Sequence, residues 1–65
     1  MLEEMRKFYA DGRVYSNEEL YEHFEELYGD DDLEEQNHNL RGLQQTMKRN
    51  GELENVGHGL WRLRK

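Results

Sequence analysis

Glu52-Leu53-Glu54-Asn55-Val56-Gly57-His58-Gly59-Leu60-Trp61-Arg62-Leu63-Arg64 is where the periodicity of the chain changes, and its reading decides the fold. Leu53 between two glutamates is an in–out alternation, and Gly57-His58-Gly59 is a turn. From Leu60 the alternation resumes, with Trp61 and Leu63 on one face and Leu60, Arg62 and Arg64 on the other. Two alternating runs around a Gly-rich turn make a β-hairpin over about 52–64. Everything upstream is spaced for helices, so the chain is α+β.

Immediately before the hairpin, Leu33, Leu40, Leu43 and Met47 share one face of a helix over about 33–50, and Asn50-Gly51 ends it. Asp30-Asp31-Asp32 supplies a turn, and Asp32 with Glu35 fits a capping box. Gln36 also falls on the apolar face, and Gly42 costs about 1 kcal/mol in a helix interior. The helix therefore starts at Asp32, or it breaks near Asn37-His38-Asn39 and its main part starts at Asn37. Further upstream, Ser16-Asn17-Glu18-Glu19 is a stronger capping box. It opens a helix over about 17–28 whose stripe is Leu20, Phe24, Leu27 and Tyr28, with Gly29 as its stop. Leu2, Met5 and Tyr9 mark a short helix over about 2–10, ended by Asp11-Gly12. Arg13-Val14-Tyr15 is brief and β-prone, which predicts Val14 as a short third strand. The expected core is Leu20, Phe24, Leu27, Leu40, Leu43, Met47, Leu53, Trp61 and Leu63.

The chain has 65 residues, of which 34% are apolar. That supports one small domain spanning 1–65, whose core uses almost every apolar side chain. With no cysteine, neither a disulfide nor a thiolate metal site holds it together. No apolar run is long enough to span a bilayer. Glu3 and Glu4, without a long apolar stretch, argue against a signal peptide. The expected setting is cytoplasmic.

Fifteen acids and nine bases give a net charge of −6, unevenly spread. Residues 1–35 hold 13 acids and three bases, a net −10, whereas residues 36–65 hold two acids and six bases, a net +4. Such asymmetry suggests that one half meets something anionic. The simpler account is the helix dipole, which gathers acids at N-termini and bases at C-termini.

From Leu40-Arg41-Gly42-Leu43 through Met47-Lys48-Arg49-Asn50-Gly51-Glu52-Leu53-Glu54 to Leu60-Trp61-Arg62-Leu63, the chain resembles the winged helix-turn-helix domain. The likeness is greatest to the type found at the N-terminus of Mrr-like restriction proteins and in related small prokaryotic regulators. There a recognition helix ends in basic residues and a Gly, an apolar–acidic strand follows, and a Gly-containing wing leads to a strand with an aromatic, Arg and Leu. Tyr15-Ser16-Asn17-Glu18-Glu19-Leu20 matches the short strand and capped second helix of such domains. The resemblance covers nearly the whole chain. It implies three short helices with a small antiparallel sheet, in the order helix, strand, helix, helix, strand, wing, strand. The function it implies is DNA binding, as a small transcription regulator or the DNA-reading part of a larger system. The chain departs from the family in its negative charge, and Asp30, Asp31, Asp32, Glu34 and Glu35 precede or open the recognition helix.

On that third helix, His38, Arg41, Gln45, Lys48 and Arg49 lie roughly opposite the leucines at about 100° per residue. Arg and Gln read base edges, and Lys neutralises phosphate. His58, Arg62 and Arg64 add wing contacts, with Lys65 at the end. Duplex DNA is therefore the expected partner, and a homodimer would extend a footprint that is small for one module. The competing reading is a protein-interaction winged helix that uses the acidic second-helix face of Glu18, Glu22, Glu25 and Glu26. His23, His38 and His58 lack a supporting His pair or Cys, so no metal is expected. No nucleophile elbow, phosphate loop or paired acid–His arrangement is present, so neither a cofactor nor an enzymatic activity is expected.

Overall fold

The computed structural model describes residues 2–64. The chain runs α1 (Leu2–Phe8), β1 (Tyr15–Ser16), α2 (Asn17–Tyr28), α3 (Leu33–Arg49), β2 (Leu53–Gly57) and β3 (Leu60–Leu63). The three strands form one antiparallel sheet in the order β1-β3-β2. Lys65 lies outside the described residues.

The local chemistry accounts for most boundaries. Ser16 accepts the Glu19 amide at 3.2 Å while the Glu19 carboxylate accepts the Ser16 amide at 3.0 Å, which completes the expected capping box. At the other end of α2, Gly29 takes φ 85° and donates its amide to the Glu25 carbonyl at 2.8 Å. Helix α1 is shorter than its pattern suggests and ends at Phe8. Tyr9 then sits in a turn, with the Gly12 amide bonded back to its carbonyl at 3.0 Å.

Two expectations about local structure are corrected. Val14 is not a strand residue and is 44% exposed, so Tyr15 and Ser16 pair with Trp61 and Leu60 instead. The alternation that places Trp61 inside selects Tyr15, the larger apolar surface, as its partner. Asp32 makes no side-chain cap, because it sits at φ 54°, ψ 53°, in the left-handed region. An N-cap side chain reaches its amide only from extended backbone. Of the two starts that the sequence allows for α3, the earlier is the one found: the helix runs unbroken from Leu33 to Arg49, close to the expected 33–50. Gln36 and Asn37 are half-buried on its inner flank, and Gly42 stands exposed with open space where a Cβ would be. Gly42 therefore costs only helix propensity.

The core is built from every element. Met5, Tyr9, Leu20, Phe24, Leu40, Met47, Leu53 and Trp61 are buried, and Leu43 and Leu63 pack against them half-buried. Leu27 is the exception to the expected core: it is 53% exposed. Leu27 is the penultimate residue of α2 and lies outside the buried cluster that Met5 and Tyr9 share with Leu20 and Phe24.

One buried polar group organises the interior. Gln44 on α3 is 2% exposed and donates from Nε2 to the Tyr9 hydroxyl and to Asn17 Oδ1, both at 3.1 Å. It thereby joins the turn after α1, the start of α2 and the middle of α3. Burial raises the Tyr9 phenol above its ordinary pKa, so the hydroxyl stays neutral and able to accept. At the surface, Arg6 grips Glu52 with two bonds, at 2.7 and 3.2 Å, fastening α1 to the entry of β2.

The hairpin turn is short and tied down. Asn55 Nδ2 donates to the Gly57 and Leu60 carbonyls at 2.7 and 2.9 Å, across a register shift between Asn55 and Gly57. The Asn17 amide donates to the Gly59 carbonyl at 2.9 Å, so the turn rests on the start of α2.

Candidate nucleic-acid interface

Helix α3 buries Leu40, Gln44 and Met47 and turns the opposite face to solvent. His38, Arg41, Gln45, Lys48 and Arg49 are all exposed there, as their spacing predicts. The last two turns carry Gln45, Lys48 and Arg49. The Lys48 ammonium lies 5.9 Å from the centre of the Trp61 ring, so its stem runs along the helix–sheet seam. Basic residues here also face the negative end of the α3 dipole.

The first turns are different. Asp32, Glu34 and Glu35 line the same shallow hollow as His38 and Arg41. A side-chain hydrogen bond from the protonated Glu35 carboxyl to Asp32, with the like charge of Asp32 beside it, raises the Glu35 carboxyl above its ordinary pKa. Two acids held this close oppose any polyanion at the start of α3. Of the exposed α3 cations, Lys48 and Arg49 are the ones away from this acidic turn.

The hairpin residues divide. His58 is exposed in the turn, and Arg64 is exposed just past β3, with its amide donated to the Glu52 carbonyl at 2.8 Å. Arg62 does not join the α3 set. It lies opposite Glu54 in the sheet register and donates to that carboxylate at 2.9 and 3.1 Å. Strand alternation places it on the face away from buried Trp61, in a hollow shared with Asp11 and Glu54. A signal for this pairing existed in the sequence. A hairpin centred on residue 58 sets Glu54 against Arg62, as it sets Leu53 against Leu63.

Glu18, Glu22, Glu25 and Glu26 are all exposed on α2. No group of three or more His, Asp or Glu side chains is placed to hold a metal ion among the described residues. No helix among them is long and apolar enough to cross a membrane. Comparison with family models, curated proteins and solved structures finds no match to this chain.

Proposed function

We propose that the chain is a winged-helix module that binds duplex DNA, with α3 as its recognition helix and the β2–β3 hairpin as a short wing. The observation that carries this reading is the uncovered outer face of α3. There Arg41, Gln45, Lys48 and Arg49 are exposed together on a single helix braced from behind by Gln44 and the core. The element order and the central position of β3 fit that architecture. Helix-turn-helix proteins usually present the N-terminal part of the recognition helix to base edges. Here the carboxylates of Asp32, Glu34 and Glu35 disfavour that approach. Contact is therefore shifted toward the C-terminal half, with Gln45 at the base edges and Lys48 and Arg49 on phosphates.

Fluorescence anisotropy with labelled random and selected duplexes at low salt tests the proposal. Replacing Lys48 and Arg49 with Ala weakens binding to every sequence, while Gln45→Ala mainly relaxes sequence choice. If the folded protein binds no duplex at low salt, DNA binding is abandoned.

A further inference from the structure

On α1 and α2 the chain leaves apolar surface uncovered, although a domain this small has little to spare. Leu27 is 53% and Tyr28 48% exposed, and Phe8 is half-buried. Leu27, Phe8 and His23 line a hollow of about 350 Å³ between the two helices, with Glu4 and Lys7 at its margin. A second, shallow hollow shares Phe8 and His23 and is lined also by Tyr15, Glu19, Glu22 and Glu26. The shared rings join the two into one groove, floored where the Phe8 ring meets His23 at 4.9 Å and Tyr15 at 4.6 Å. One side of this groove is apolar and the other is a row of carboxylates. Glu22 and Glu26 make no ion pair among the described residues, and Lys7 is the one cation that lines either hollow.

We infer that this groove docks a basic amphipathic helix of a partner protein. An aliphatic or aromatic anchor seats between Phe8 and Leu27, and Lys or Arg side chains lie along Glu22 and Glu26, with Glu19, whose Oε1 already accepts the Ser16 amide, at the end of the row. The spacing of the acids sets the partner's pattern. Positions i, i+3 and i+7 fall along one flank of α2 over about 10 Å of rise, so a helix beside it meets all three with bases at the same spacing. Apolar seating supplies affinity, and the charges supply orientation and choice of partner. A nucleic acid does not fit, because the acidic row repels phosphate. None of the groove residues belongs to the outer face of α3, so the two surfaces are independently testable.

The test uses the full chain and a labelled helical peptide of about 15 residues, four turns long, built from Leu, Lys and Arg in that pattern. A control peptide carries Glu in place of every base. The basic peptide binds, the acidic one does not, and amide shifts on binding gather at Phe8, His23 and Leu27. Leu27→Glu and the pair Glu22→Lys/Glu26→Lys each weaken binding about tenfold or more, with melting temperature retained and duplex binding lost in neither. Three results overturn the inference: no binding of the basic peptide at low salt, binding that ignores Leu27→Glu, or a self-associated chain that Leu27→Glu returns to monomer. The last would make the occupant a second copy.

Discussion

Gln44 shows how much one side chain decides. Its amide reaches both Tyr9 and Asn17, so it holds the turn after α1, the start of α2 and α3 in one arrangement. Gln44→Leu keeps the volume but leaves the buried Tyr9 hydroxyl without a donor. It should cost about 1–3 kcal/mol in urea unfolding, while Tyr9→Phe should cost about 1 kcal/mol. Trp61, 6% exposed on the central strand, has no replacement for its volume. Trp61→Ala should cost about 3–5 kcal/mol, much of the stability of so small a domain. Leu27→Ala, by contrast, should change stability by less than about 0.5 kcal/mol, because half of that side chain is already in water. These residues also mark where the sequence is legible. Trp61, Phe24 and Leu40 announce themselves by type and spacing. Gln44 does not, because a polar residue reads as surface even at i+4 from Leu40, inside the apolar stripe. Leu27 misleads in the opposite direction: helical period predicts the face it occupies but not how far the neighbouring elements extend to cover it.

Among elements, the capped ones are the most readable, since their signals are short and local. Ser16→Ala removes a cap that is present in both its bonds and should cost about 0.5–2 kcal/mol. The start of α3 is less readable because Asp32 and Glu35 satisfy the capping pattern while the backbone at Asp32 turns left-handed. The pairing of α1 with β2 is not readable at all, since nothing local links Arg6 to Glu52. Its pH signature is predictable once the contact is known. Hydrogen bonding from Arg6 lowers the Glu52 carboxyl below its ordinary pKa. The bridge therefore stabilises the fold fully above the ordinary glutamate range, and that contribution disappears as pH falls through the lowered value. Urea midpoints measured across the acid range should fall less steeply for Arg6→Met than for the parent. The pair is part-exposed, so the effect is modest.

For the whole molecule, charge would govern the proposed encounter with DNA. The net −6 opposes a polyanion at long range, and salt screens that repulsion as it screens the attraction of α3. On the proposed reading, about two to three phosphates met by Lys48, Arg49 and Arg64 imply a log–log salt slope of roughly −2 to −3, made shallower by the net charge. Arg62→Ala should leave anisotropy titrations nearly unchanged, because Glu54 already occupies that guanidinium. The sequence places the α3 cations correctly on one exposed face. It does not separate Arg62 from them, since strand register rather than residue type assigns its partner. The sheet order carries a different consequence, for the time course of synthesis. Both flanking strands bond only to β3, which follows them both in the chain. While residues 60–63 are still being made or are inside the ribosome, β1 and β2 have no neighbour to bond, and the core lacks its tryptophan. The sheet closes in one step when that segment emerges, and a message truncated after Gly57 yields a product fit for proteolysis.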